Sequence, residues 1–169
     1  MLFFGGEFMA VSEVHVVKAT AEKFEEYKKI FEGSTLLRHY GQNIYEWMEA
    51  GLASGEAYIA EDRNGEAVGF MWMQLESMYA EQPYLALLGV RTDYRYHGVG
   101  QMLIEYFINT YEALGYERGL IAVNDFNPRA RALYEAMGFH KITQYPEAIS
   151  PSNNVYLLMR KTRKFNSNV

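Results

Sequence analysis

One arginine and two closely spaced glycines stand where an apolar segment gives way to an amphipathic one. Arg95, Gly98 and Gly100 follow the apolar run 84–90 and precede residues whose apolar positions recur at helical spacing. The first N–H groups of a helix have no partner within the helix, and the helix dipole adds partial positive charge there. Glycine has no Cβ atom, so a phosphate can approach the main chain closely. This arrangement predicts a site for a phosphate-bearing ligand and favours a pyrophosphate.

The spacing of the glycines separates this site from two common phosphate-binding loops. Leu103 stands where a dinucleotide-binding fingerprint would need its third glycine. No Lys-Ser or Lys-Thr pair follows, which excludes a P-loop. On these residues alone, a surface turn in which the glycines serve only the backbone geometry remains the alternative.

Two sequence patterns resemble the GCN5-related N-acetyltransferase (GNAT) superfamily. Arg95-x-x-Gly98-x-Gly100 after Val90 resembles the acetyl-CoA signature of that superfamily. The segment 127–139, which reads N-x-x-A-x-x-L-Y-E-x-x-G-F, resembles its second signature and lies one predicted strand downstream. Two patterns in the correct order are more specific than either alone, and the resemblance extends over roughly residues 57–161.

The resemblance implies that acetyl-CoA is the cosubstrate and that no metal ion takes part. The N–H groups from Tyr96 to Gln101 would hold the pyrophosphate, and the main chain of the strand ending at Val90 would hold the pantetheine arm. In this family that strand parts from its parallel neighbour, often at a bulge, and Gly89 is the expected bulge because glycine weakens a strand. The cofactor-binding residues expected on this basis are Leu88, Val90, Arg95, Tyr96, His97, Gly98, Val99, Gly100, Gln101 and Asn127.

The implied reaction is direct attack of a neutral primary amine on the acetyl carbon. Tyr134 matches the tyrosine that often protonates the departing thiolate in this family, and a phenol carries its proton at neutral pH. The alternative is that Tyr134 only fills the core. A backbone N–H near Leu88 would polarise the thioester carbonyl. The general base stays open between ordered water and three acidic residues: Glu76, Glu81 and Asp93.

The acceptor amine is not encoded in either pattern. A small-molecule amine is slightly favoured, because the N-terminal half is rich in aromatic residues that would wall a closed pocket and the chain is acidic. A protein N-terminus or lysine is the alternative acceptor. A catalytically silent module that binds acyl-CoA is the alternative of another class, and a homodimer is a further possibility because this fold often pairs through its sheet edges.

Composition narrows the remaining classes of function. The chain has 169 residues and a net charge of −5, which suits one domain and disfavours a nucleic-acid-binding surface. It contains no cysteine, so disulfides and a thiol nucleophile are excluded. It contains no apolar run of about 18 residues, so no membrane span is expected, and the sequence is compatible with the cytoplasm.

The elements that must position these residues follow from hydrophobic periodicity and turn chemistry. The predicted order is β-α-α-β-β-β-α-β-α-β-β, with Thr20 capping the first helix, a break near Gly41, and a hairpin turn at Asn64-Gly65. We therefore predict a GNAT-like α/β sandwich with a central mixed, mostly antiparallel sheet and a β-α-β acetyl-CoA-binding core. Residues 10–164 form the expected single domain. Residues 1–9 are an expected leader, with Met9 as an alternative start to Met1, and residues 165–169 are an expected tail.

Overall fold

The computed structural model describes residues 13–163, which form one seven-stranded sheet with helices on both of its faces. The strands are β1 (His15–Lys18), β2 (Ala57–Glu61), β3 (Ala67–Gln74), β4 (Tyr84–Val90), β5 (Arg118–Asn124), β6 (His140–Gln144) and β7 (Val155–Lys161). The helices are α1 (Phe24–Phe31), α2 (Thr35–Tyr40), α3 (Asn43–Ser54), α4 (Val99–Ala113) and α5 (Pro128–Ala136). Short 3-10 turns cover Ala21–Lys23 and Thr92–Tyr94.

The sheet has the strand order β1-β2-β3-β4-β5-β7-β6. Its neighbouring strands are antiparallel except for β4 and β5, which α4 connects as a parallel pair. The predicted fold class is therefore confirmed. The predicted order of the elements holds except in one place: the break expected near Gly41, where φ is 54°, divides the second predicted helix into α2 and α3.

Two apolar layers sandwich the sheet. Val68 and Met71 of β3 pack on the side of Leu103 and Phe107 from α4. Phe70 of β3 packs on the opposite side, with residues of α1 and α3. A strand covered on both faces reads as a nearly continuous apolar run, and this is why the sequence of β3 lacks the alternation of a half-exposed strand.

Two local predictions near the N-terminal half need correction. The side chain of Thr20 caps no helix, and the helical segment after it begins with the 3-10 turn Ala21–Lys23. The Thr20 N–H instead donates to the Tyr27 hydroxyl at 3.0 Å. In the hairpin after β2, only Gly65 takes a positive φ, of 77°. The turn is instead organised by the buried Asp62, whose carboxylate accepts from the N–H groups of Asn64 at 2.9 Å and Glu66 at 3.0 Å.

The predicted bulge at Gly89 is wrong, and its true position is Ala86. Gly89 stays in register opposite Phe70, whereas Leu85 and Leu87 pair with consecutive residues of β3 and leave Ala86 as the extra residue. Gly89 is needed for a different reason, since a Cβ atom there would overlap the ring of Phe31. A glycine in a strand signals either a bulge or a close approach, and here the helix packed above the strand requires the second.

The ends of the chain lie outside the described residues. The predicted domain boundaries at 10 and 164, the leader with its alternative start at Met9, and the short tail therefore stay predictions. Across residues 13–163, no helix combines the length and the apolar character that crossing a membrane requires.

Candidate active site

The β4–α4 loop presents the start of α4 to a cleft. Gly98 precedes the first turn with a φ of 82°, and it offers no side chain to cap the helix. The backbone at Tyr96 also takes a positive φ, of 65°, which is uncommon for a residue with a Cβ atom. At Gly100, a Cβ atom would meet Leu133 and Val90 at an ordinary 3.7 Å, so packing alone does not require a glycine there. This glycine is better explained by space reserved for a ligand.

Neighbouring side chains hold this loop in place. The Tyr94 hydroxyl donates to the buried Asp62 at 3.1 Å, and Arg95 Nε donates to the carbonyl of Val90 at 3.4 Å. Arg91 pairs with Asp93 at 2.7 Å, and its hydrogen bond holds the pKa of that carboxyl below its usual value. Asp93 is therefore engaged in fixing the loop, which weakens its case as a general base.

A cleft of about 530 Å³ runs from this loop along the open edge of β4 to α5. The predicted residues that line it are Leu88, Val90, Arg95, Tyr96, Gly98, Val99, Gly100, Gln101, Asn127 and Tyr134. His97 is exposed and is not among the lining residues, so its contact with the cofactor stays a prediction without geometric support. Glu76 and Glu81 are also exposed and do not line the cleft.

The parting of two strands forms the floor of the cleft. β4 and β5 pair only through Tyr84 with Leu120 and Leu85 with Ile121. From Ala86 onward the two strands separate, so the main chain of Leu88 and Val90 has no β5 partner on that side. An extended ligand with amide groups can pair with such an edge as an additional strand does.

α5 carries the remaining predicted residues into the cleft. The Asn127 side chain caps this helix by accepting from the Ala130 N–H at 3.4 Å, and Pro128 occupies the first helical position, as the sequence predicts. Tyr134 is 7% exposed and packs against Phe139, with ring centroids 6.5 Å apart. Burial raises the pKa of Tyr134 above that of an ordinary phenol, so the group keeps its proton throughout the physiological range.

Two sets of lining residues were not named from the sequence. One is a wall on the opposite side of the cleft from α5, formed by Ile30, Phe31, Ser34, Thr35 and Leu36; the sequence predicted a wall from the N-terminal half but not these residues. No motif marks this wall, which exists only because α1 and α2 pack across the sheet. The other is Arg129, whose guanidinium lies 4.8 Å from the centre of the Tyr96 ring and bonds to the Tyr96 hydroxyl. A signal for Arg129 was available, because a cation in the first turn of a helix opposes the helix dipole unless an anion lies nearby.

The end of the cleft beside the β4–α4 loop, which we call the mouth, carries positive charges that suit an anionic ligand. Arg95 and Arg129 flank the unpaired N–H groups at the start of α4. Within residues 13–163, no group of three or more His, Cys, Asp or Glu side chains is arranged to hold a metal ion. The cleft thus combines an anion-binding mouth, an open strand edge and a buried phenol along one path.

Comparison with known proteins places this geometry in a family. The model of the Acetyltransferase (GNAT) family matches residues 20–139. The 5-NmdU N-acetyltransferase of Pseudomonas phage PaMx11 is 29% identical over 124 residues, covering 73% of this chain and 85% of the phage protein. The [ribosomal protein bS18]-alanine N-acetyltransferase of Escherichia coli K12 is 31% identical over 105 residues, covering 60% of this chain and 69% of that enzyme.

Solved structures support the same fold. Ard1 from Thermoplasma volcanium superposes with a TM-score of 0.72 at 20% identity, covering 89% of this chain and 98% of the other. A chain from the NatC complex bound to a Gag peptide and CoA superposes with a TM-score of 0.66 at 20% identity, covering 88% of this chain and 98% of the other. With the family model spanning most of the sheet and both signature segments, this chain belongs to the Acetyltransferase (GNAT) family.

Proposed function

We propose that this protein transfers the acetyl group of acetyl-CoA to a primary amine, with a small molecule as the acceptor. The observation that carries the proposal is the parting of β4 and β5 between the start of α4 and Tyr134. In that space the diphosphate of CoA would meet the α4 N–H groups, Arg95 and Arg129. The pantetheine amides would pair with the main chain of Leu88 and Val90, and Asn127 would bond to the same arm.

The chemical step follows from these positions. The lone pair of a neutral amine attacks the thioester carbonyl carbon, and the C–S bond breaks as the C–N bond completes. The carbonyl oxygen gains negative charge in between, and the N–H of Leu88 stabilises it. Tyr134 donates a hydrogen bond to the departing sulfur and passes its proton there as the amine proton returns to the phenol through water. The products are an acetamide and CoA thiol, with Tyr134 again protonated.

The raised pKa of Tyr134 limits the way in which it acts. A thiol ordinarily has a pKa of about 8.5 and a phenol about 10, so a free proton transfer from Tyr134 to the thiolate is uphill. Burial of Tyr134 makes this difference larger. Hydrogen bonding to the sulfur, with proton transfer coupled to loss of the amine proton, avoids a separate phenolate intermediate.

The acceptor is proposed from the walls of the cleft. Residues of α1 and α2 close the side opposite α5, which favours a compact acceptor over an extended chain. A peptide N-terminus is the second candidate, because the bS18-alanine N-acetyltransferase of Escherichia coli is a relative at 31% identity.

The test is release of CoA thiol from acetyl-CoA across a panel of primary amines and a peptide with an N-terminal alanine, followed with Ellman's reagent. We expect turnover with small amines and a lower kcat/KM for the peptide. Acetyl-CoA binding by calorimetry without turnover of any acceptor would favour the catalytically silent module. Absence of binding as well would refute the proposed cofactor site.

A further inference from the structure

Five phenols lie around the point where β4 and β5 begin to part, and we refer to them as the tyrosine cluster; of these, Tyr134 lines the cleft. Its members are Tyr40, Tyr79, Tyr84, Tyr134 and Tyr145. Tyr84 belongs to the first of the two residue pairs that join β4 to β5. Its ring lies 5.0 Å from that of Tyr79, whose hydroxyl bonds to that of Tyr145.

The cluster is assembled from both layers of the sandwich. Tyr134 approaches from α5. Leu85 packs in the core on the α4 side, and because side chains alternate along a strand, Tyr84 projects toward the opposite layer. From that layer comes Tyr40 of α2, whose hydroxyl donates to Asn124 at 2.6 Å. The phenols of Tyr84 and Tyr134 therefore approach the parting of the strands from opposite sides.

The surroundings of the cluster are mostly aromatic, and they include the ring of His39 at 4.6 Å from that of Tyr40. Burial raises the pKa of Tyr84, and the groups that raise it further are the phenols of Tyr79, Tyr134 and Tyr40. The ring of Tyr40 packs at 5.1 Å from that of Trp47 and 6.4 Å from that of Phe126. A second cation on a ligand would need carboxylates here, and the described contacts of these phenols supply none.

Hydrogen-bond acceptors remain available at this end. The Tyr84 ring packs against that of Tyr79, and the oxygen of a phenol can accept a hydrogen bond as well as donate one. The Asn153 amide nitrogen lies 3.1 Å from the ring nitrogen Nε2 of His39. The side-chain oxygen of Asn153 is buried without a partner, as is that of Gln82 two residues before Tyr84. Buried acceptors without donors are costly, and a ligand that brings N–H groups would satisfy them.

We propose that the tyrosine cluster binds the acceptor, that the Tyr84 oxygen accepts a hydrogen bond from the attacking amine, and that the acceptor is a monoamine attached to a flat, uncharged group. This inference rests on the proposed function and specifies its substrate class. Tyr84 acts as a positioning residue: it orients the nitrogen lone pair toward the thioester, while Tyr134 donates a hydrogen bond to the sulfur. The aromatic rings around Tyr40 offer stacking area to the flat group.

The experiment measures steady-state acetylation of benzylamine, spermidine and a peptide with an N-terminal alanine by the full chain and by Tyr84→Phe. We expect the kcat/KM of benzylamine to exceed those of spermidine and the peptide by about tenfold or more, as a desolvated second charge would require. In Tyr84→Phe, we expect kcat/KM for benzylamine to fall by about fivefold to tenfold, as loss of one hydrogen bond that orients the amine implies, with acetyl-CoA affinity nearly unchanged.

The matched control is Tyr58→Phe, which removes a phenol from β2, two strands away from the cleft. Equal kcat/KM values for Tyr84→Phe and Tyr58→Phe overturn the role of Tyr84. Preference for spermidine or the peptide overturns the substrate class while leaving the proposed function standing. If thermal unfolding shows that Tyr84→Phe is misfolded, the order of the three acceptors in the unaltered protein still decides the substrate class. Bound acetyl-CoA without turnover of any amine overturns the proposed function itself.

Discussion

The two ends of the cleft are built in different ways. At the mouth, one continuous segment from Arg95 to Gly100 supplies backbone N–H groups, positive φ angles and a cation. At the inner end, the tyrosine cluster draws its side chains from α2, β4, α5 and two connecting segments that are distant in sequence. A site made of backbone leaves a short sequence pattern, because glycine spacing is constrained locally. A site made of side chains leaves none, because each residue type there is free to vary.

This contrast explains why the family of the chain can be identified from its sequence, whereas the acceptor cannot. In our proposal, the cofactor is held mainly by the main chain of two short segments. The proposed acceptor contacts fall to Tyr40, Tyr84 and their neighbours, which come together only through the fold. The following variants separate the two ends by the quantity that each should change.

The largest effect is expected for Gly100→Leu at the mouth. Its Cβ atom is accommodated at 3.7 Å from Leu133 and Val90, but the rest of the side chain enters the space proposed for the diphosphate. We expect acetyl-CoA affinity to fall by about a hundredfold, since phosphate contacts to a helix start are lost, with little change in melting temperature. Calorimetry gives the affinity, and Ala113→Leu adds the same bulk at an exposed position of the same helix. Unchanged affinity would remove the diphosphate from this loop.

Tyr134→Phe should lower kcat by about a hundredfold, the usual range for loss of a general acid, while acetyl-CoA still binds. Because burial raises the pKa of Tyr134, the unaltered enzyme should show no loss of rate from deprotonation of this group up to about pH 10. Rate against pH tests the second statement, and kcat with benzylamine tests the first. Full turnover in the variant would leave Tyr134 as a core residue only.

Glu112→Gln tests the scaffold on the α4 side rather than either end of the cleft. Glu112 accepts from Arg160 at 2.9 Å and from Arg163 at 3.1 Å, and Arg160 also donates to the carbonyl of Met137 at the end of α5. We expect the free energy of unfolding at pH 7 to fall by about 2 kcal/mol, because the buried guanidinium of Arg160 loses a charged partner. Urea unfolding measures this loss, and Glu105→Gln, which breaks a more exposed pair with Arg163, should change it far less.

The interactions of Glu112 with Arg160 and Arg163 also predict how the stability of the fold depends on pH. Burial alone would raise the pKa of Glu112, but the hydrogen bonds from the N–H of Arg163 and from both guanidiniums hold it below its usual 4.5. The folded pKa is thus below the unfolded one, so the stabilisation is present above about pH 4.5 and is lost as the pH falls through the folded pKa. The stability difference between the unaltered chain and Glu112→Gln should shrink at pH 3. A difference that does not change with pH would contradict this assignment.

Arg129→Gln should weaken acetyl-CoA binding by about fivefold to tenfold, and the loss should diminish at high salt because the contact is a partly exposed charge pair. Arg131→Gln is the matched control on the same helix, since Arg131 is occupied by Glu135 at 2.8 Å. Calorimetry at two salt concentrations measures both. An equal loss in the two variants would indicate a general effect of charge rather than a contact at the mouth.

The smallest effect is expected for Asp93→Asn, which tests whether a carboxylate beside the loop is the general base. Asp93 is held by Arg91, so its removal should change kcat by less than about twofold. The pH–rate profile with benzylamine is the measurement. A fall in kcat of about tenfold or more across the neutral and alkaline range would restore Asp93 as the base.

The parts of the fold that follow from local chemistry were predictable. Gly98 before α4, Asn127 and Pro128 at the start of α5, and the doubly apolar β3 each have a physical reason within a few residues. The bulge was misplaced because Gly89 serves Phe31, a contact made by a helix nearly sixty residues earlier in the chain. The role proposed for Tyr84 has no local signal, because its aromatic neighbours come from distant parts of the chain. Arg129 left a weak signal as a cation in the first turn of α5, but its contact with Tyr96 forms only after β5 and α5 have folded back over the loop.

The brief pairing of β4 and β5 has a consequence for stability. Only two residue pairs join β4 to β5, so the sheet consists of two antiparallel halves with a short parallel contact between them. In the proposed binding mode, the pantetheine amides make hydrogen bonds to β4 in the place where β5 makes none, and the cofactor thereby joins the two halves of the sheet. Ligand binding to the folded state alone adds stability with the logarithm of ligand concentration. The resistance of the folded protein to unfolding would then increase with the concentration of acetyl-CoA.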